Sequence, residues 1–88
     1  MQVDTKKQIL NRLRRIEGQV RGLQKMVEEN TYCVDIITQT SAVKRALSGV
    51  EDQLLESHLS TCVIGQMKKG QEGKATKEIL KVYSLKRA

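Results

Sequence analysis

Three side chains in this chain could together hold a soft metal ion: Cys33, His58 and Cys62. The sequence contains two cysteines and one histidine in all, so these are its whole supply of sulfur and imidazole donors. His58 and Cys62 are four residues apart, a spacing that brings two helical side chains to one face and within reach of a single ion. Alone, such a pair is more often a satisfied histidine beside a small buried hydrophobe. Cys33 alters that reading through geometry. It precedes His58 by 25 residues, about 37 Å along a continuous helix at ~1.5 Å per residue, too far to join the pair within one chain. Two copies packed antiparallel about a two-fold axis near Ala46 and Leu47 would set Cys33 of one copy opposite residues 58–62 of the other. Two thiolates and one imidazole without an obvious fourth donor suit trigonal Cu(I). Zn(II) ordinarily takes a fourth ligand, and Ni(II) or Co(II) take more nitrogen and oxygen. A metal-bound imidazole gives its second nitrogen to an oxygen, and Tyr32 and Glu78 are the candidates. Each also has a plainer use, Tyr32 as packing at a helix start and Glu78 as a solvated helix position.

These donors must be carried by helices. The chain has no proline, and its only sustained periodicity is that of an amphipathic helix. Ile9, Leu13, Ile16, Val20, Leu23 and Val27 step alternately by four and three, which predicts a first helix over 4–29. Gly18 and Gly22 lie inside it, where glycine weakens a helix, so a close approach of another backbone is expected there. The polar run Glu28 to Thr31 ends it, with Asn30 or Thr31 expected to cap the next helix. Ile36, Thr40, Val43, Leu47, Val50 and Leu54 continue the alternation in a second helix over 32–68, whose length implies packing against a second chain. A loop at Gly70 to Gly73 leads to a short third helix over 74–86, with Ala75, Ile79, Val82 and Tyr83 toward its buried side. The expected organisation is a single all-helical domain, 1–88.

Size and charge point to assembly and to a polyanionic partner. Eighty-eight residues with two tyrosines and no Phe or Trp make a thin core for a monomer. A net charge of +6, multiplied in an oligomer, favours nucleic acid. No run approaches the length of a membrane span, and Met1-Gln2-Val3-Asp4 opens without the apolar stretch of a signal peptide, so a cytoplasmic protein with no membrane contact is expected. In that compartment the cysteines are thiols, metal ligands or redox sensors rather than a structural disulfide.

The first helix carries much of the positive field. Residues 1–27 contain Lys6, Lys7, Arg12, Arg14, Arg15, Arg21 and Lys25 against Asp4 and Glu17. Arg14, Arg21 and Lys25 share a face, and Lys44 with Arg45 adds a patch on the second helix. Arginine forks match phosphates and guanine edges. No helix-turn-helix or zinc-finger pattern is present, so DNA would be met by the helix faces of an assembly.

The blocks Arg12-Leu13-Arg14-Arg15-Ile16-Glu17-Gly18-Gln19-Val20-Arg21-Gly22, Tyr32-Cys33-Val34-Asp35-Ile36-Ile37-Thr38-Gln39 and His58-Leu59-Ser60-Thr61-Cys62-Val63 resemble the copper-sensitive operon repressor (CsoR) family, over roughly Lys6 to Leu80. The resemblance implies an antiparallel helical-bundle dimer, paired into a homotetramer, that binds operator DNA when metal-free and releases it on binding one Cu(I) per chain. It implies Cys33 of one subunit with His58 and Cys62 of the other as copper ligands, and Tyr32 and Glu78 as their outer partners. It further implies DNA-contacting surface at Arg14, Arg15, Arg21, Lys44 and Arg45. Nickel and cobalt sensors of this kind add a histidine near the N-terminus, absent here; persulfide sensors lack the equivalent of His58, and formaldehyde sensors that of Cys62.

Two other functions fit less well. A thiol-responsive repressor would bridge Cys33 and Cys62 of opposite subunits and ignore His58. A copper-buffering protein would bind DNA without sequence preference. An enzyme acting on a small organic substrate is not expected, since nothing accompanies the lone histidine as base or carboxylate partner.

Overall fold

The computed structural model describes residues 1–87, which form helices and no strand. In chain order these are α1 (Val3–Glu28), α2 (Cys33–Ser57), a π-helical turn (His58–Val63), α3 (Ile64–Lys68) and α4 (Glu72–Arg87). No helix among the described residues is long and apolar enough to cross a membrane. The chain divides into two compact units, residues 1–55 and the residues from 56 onward.

The first unit is an antiparallel helical hairpin. Gln53 donates from Nε2 to Oε1 of Gln8 at 2.8 Å, and Arg12 lies against Gly49. Val20, Leu23 and Val27 line a groove with Ile36 and Thr40, so positions rising along α1 meet positions falling along α2. The core is Ile9 and Ile16 against Val43 and Val50, with Leu23 and Ala46 packed on it. Ile9, Ile16 and Leu23 are seven apart, one half of the predicted stripe. The other half stays outside: Leu13, Val20 and Val27 on α1 and Leu47 and Leu54 on α2 are all exposed. Among the described residues nothing lies within 4 Å of a Cβ placed on Gly18 or Gly22, so the approach expected there is not made by any of them.

The connection between α1 and α2 differs from the expected capping. Asn30 adopts φ +57 and closes α1 instead of opening α2: its amide bonds the Val27 carbonyl at 3.1 Å, and the Thr31 amide bonds Met26 at 2.9 Å. This is the left-handed C-terminal closure that asparagine tolerates. The carbonyl of Tyr32 then accepts from the amides of Asp35 and Ile36, so α2 begins at Cys33.

In the second unit the expected unbroken helix changes its winding at His58–Val63. Ser60 donates to the Glu56 carbonyl at 2.9 Å and Thr61 to the Ser57 carbonyl at 2.6 Å. These hydroxyls occupy carbonyls that α-helical bonding assigns to the amides of the same two residues; Thr38, Thr40 and Thr76 make the same bond within α2 and α4, where the winding stays α-helical. α3 closes at Gly70, φ +73, with Gly70 bonding Met67 and Gln71 bonding Gln66. Gln71 in turn accepts from Ala75, which starts α4 at Glu72, two residues before the expected 74. Val63 and Ala75 are buried, with Ile79, Val82 and Glu78 half-buried; Tyr83, expected inside, is exposed under the Arg87 guanidinium, 5.5 Å from its ring.

Candidate metal centre

The π-helical turn begins with His58 and carries Cys62 near its end, one turn on. His58 is half-buried, and its Nε2 lies 3.3 Å from Oε2 of Glu78 on α4. The same carboxylate oxygen accepts from Nε2 of Gln66 on α3 at 3.2 Å. Of the two oxygen partners expected for the imidazole, the structure therefore brings Glu78 to it; Tyr32 lies exposed just before α2. A carboxylate beside Nε2 favours the proton on that nitrogen and leaves Nδ1 with its lone pair for a metal, the arrangement that ligating histidines use. Cys62 is exposed and free, with the Thr61 hydroxyl 3.7 Å from its sulfur. Cys33, the first residue of α2, is likewise exposed and free.

Among the described residues no three His, Cys, Asp or Glu side chains of one chain gather as a metal site. The donor set nevertheless suits Cu(I): two uncommitted thiols and an imidazole whose other nitrogen is already engaged, all soft or borderline, with no carboxylate offered directly.

The basic residues divide in two. Arg21 is tied to Glu17 at 2.6 Å and Arg14 donates to Asn11 Oδ1 at 3.1 Å within α1, and Lys25 faces Glu29, just past its end, at 3.9 Å. Arg12 and Arg15 instead border a hollow of about 240 Å³ with Gln19, over Ile16, Ala46 and Gly49. Lys44 and Arg45 are exposed on α2. Arg15 was expected in a DNA-facing role and Arg12 was not, although Arg12 and Arg15 stand three apart on α1 and flank the buried Ile16.

Residues 5–84 match the metal-sensitive transcriptional repressor family. The chain belongs to that family. It is 53% identical over 78 residues to the copper-sensing transcriptional repressor CsoR of Bacillus subtilis strain 168, covering 89% of this chain and 77% of that one. It is 53% identical over 62 residues to the copper-sensing repressor RicR of Mycobacterium tuberculosis H37Rv, covering 70% of this chain and 65% of that one. The crystal structure of the copper-sensing repressor CsoR with Cu(I) from Geobacillus thermodenitrificans NG80-2 superposes with a TM-score of 0.91 at 42% identity, over 100% of this chain and 92% of that one.

As a metal-sensitive repressor the chain acts on transcription, and DNA is its partner. The arginine-lined hollow of the hairpin has the charge and the fork geometry for phosphate. The His58 and Cys62 segment has the donors for the metal.

Proposed function

We propose that this repressor senses Cu(I): metal-free it binds operator DNA, and with Cu(I) it releases the DNA and derepresses genes for copper resistance. The observation that carries the reading is the placement of Glu78 against Nε2 of His58, which leaves Nδ1 to a metal on the same π-helical turn that carries Cys62. The metal is held by Cys33 of one subunit with His58 and Cys62 of the other, one Cu(I) per chain, and Tyr32 enters the same site because it precedes Cys33. Its relatives named as copper sensors, and a solved relative holding Cu(I), support this metal.

The hairpin core buries four aliphatic side chains and leaves further apolar surface for an assembly to cover. The exposed rows of Leu13, Val20 and Val27, and of Leu47 and Leu54, must be covered, and a second copy of the same hairpin is the occupant whose seven-residue spacing fits. A dimer built on them, doubled into a homotetramer, sets several copies of the Arg12 and Arg15 hollow along one DNA, working in the cytoplasm as a single sensing and binding domain.

Bound Cu(I) supplies bonds that hold two thiolates and an imidazole together. The chain does the rest. His58 presents its ring, Glu78 orients that ring and links it to α4, and a change at the π-helical turn reaches α4 through this carboxylate. A coupling of about 1–3 kcal/mol between the two sites changes DNA affinity roughly 5- to 150-fold.

The test is fluorescence anisotropy of the protein on its own upstream promoter fragment, with Cu(I) added anaerobically to the complex. Release complete near one Cu(I) per chain, and absent with Zn(II), is the expected result; DNA retained with Cu(I) bound refutes the reading. Both cysteines are free and exposed, which also suits a thiol-responsive repressor. His58→Ala separates the two, since a copper sensor loses its response and a thiol sensor keeps it.

A further inference from the structure

Gln66 stands four residues beyond Cys62 and eight beyond His58, and it reaches the same carboxylate oxygen as the imidazole: 3.2 Å from its Nε2 to Glu78 Oε2, against 3.3 Å from His58 Nε2. Its other amide atom, Oε1, is buried without a hydrogen-bond partner among the described residues. Leaving a buried amide oxygen unpaired is unfavourable, and a glutamine on a short helix has the freedom to turn that oxygen to water. It does not, so the amide is held by what its NH2 does. The reverse orientation would set Oε1 against a carboxylate oxygen, two acceptors in mutual repulsion. Glu78 is 37% exposed at its side chain and long enough to swing into solvent. Gripped by Gln66 it has a fixed place, and the imidazole orients to it; without that grip the carboxylate follows the ring.

We infer that Gln66 is a positioning residue of the metal centre, whose side-chain NH2 fixes the Glu78 carboxylate and so holds His58 with its proton on Nε2 and Nδ1 presented to the metal. The inference rests on the reading of His58 as a ligand. Its first readout needs no metal, so the two can fail separately.

The experiment compares the full chain with Gln66→Met and Gln66→Lys, using 15N NMR of the His58 imidazole in metal-free protein in mildly alkaline buffer, then Cu(I) affinity by chelator competition. Met keeps length and helix propensity without a donor, and the Lys ammonium can donate to the same carboxylate. The unaltered chain is expected to show one tautomer, with the proton on Nε2, Gln66→Met a mixture of both, and Gln66→Lys the single tautomer restored. Copper affinity falls about three- to tenfold in Gln66→Met, less than the 10–100-fold typical of a residue bonded directly to a ligand, and stays within about threefold in Gln66→Lys. Combined with Glu78→Ala, the Met change adds no further loss. A Gln66→Met protein with the unaltered tautomer overturns the inference. So does a Gln66→Lys protein as damaged as Gln66→Met, which would mean packing and not donation, and so does additivity with Glu78→Ala. Gln66→Asn, too short to reach Glu78, replaces Gln66→Met if the latter fails to fold. Full copper affinity in His58→Ala would refute the ligand reading itself, while the tautomer still decides whether Gln66 positions Glu78.

Discussion

The hydroxyl of Thr61 donates a 2.6 Å hydrogen bond to the Ser57 carbonyl, so a side chain occupies the acceptor that an α-helix gives to the Thr61 amide. Ser60 repeats the substitution on Glu56. The two hydroxyls lie between His58 and Cys62 in the π-helical turn that carries both donors. Thr61→Val keeps the branched shape and removes the donor. If that hydroxyl shapes the turn, its loss should rotate Cys62 relative to His58 and lower Cu(I) affinity by about tenfold, the low end for a residue that orients ligands. Chelator competition measures it, with circular dichroism confirming an unchanged helix content; an unaltered affinity would make the turn incidental to the site.

The arginines predict a graded salt response. Each phosphate that a substitution leaves unneutralised should flatten the slope of log affinity against log salt by about 0.9. Arg12→Ala and Arg15→Ala, which border the hollow, should each free about one phosphate per chain engaged on the DNA. Arg21→Ala should change the slope little, because that guanidinium already lies on Glu17. Anisotropy at several salt concentrations separates them, and equal slopes for all three would move the DNA to another face.

The helices were legible in the sequence because a four-and-three alternation of apolar residues has one solution, and the candidate donors were easily singled out because the chain holds so few. Three things were not legible. The stripe of α1 has two halves that interleave at seven-residue spacing, and pattern alone does not say that Ile9, Ile16 and Leu23 turn inward while Leu13, Val20 and Val27 turn out. The winding change at His58–Val63 leaves no mark in an apolar periodicity. Gln66 and Arg12 gain their roles from neighbours across a turn or a hairpin, Glu78 for one and Gly49 for the other. Even so, the row 58, 62, 66 at steps of four contained the signal for Gln66.

The outward rows predict which substitutions break assembly and which break the fold. Ile16→Ala removes a buried side chain from the hairpin core and should cost about 2–5 kcal/mol of stability, read by denaturant unfolding. Leu47→Asp alters a side chain that is 42% exposed within the chain, so the hairpin should survive. If that face is covered by a second copy, sedimentation should show monomers, and Cu(I) affinity should fall with them because Cys33 and His58 then never meet. A Leu47→Asp protein that remains oligomeric would place the interface elsewhere.

Glu78 separates metal binding from signalling. Its carboxylate joins the π-helical turn to α4 by touching His58 and accepting from Gln66. Glu78→Ala leaves all three proposed ligands in place but cuts that connection. Copper should still bind, about 10–100-fold more weakly for lack of the group that orients the imidazole. At saturating Cu(I) the DNA should nevertheless stay bound, with the affinity ratio between metal-free and metal-loaded protein falling from the roughly 5- to 150-fold of a working switch toward unity. Saturation matters, because a purely weakened site would recover full release once enough Cu(I) is present. Release restored by excess Cu(I) would confine Glu78 to ligand orientation and require another route from His58 to the DNA face.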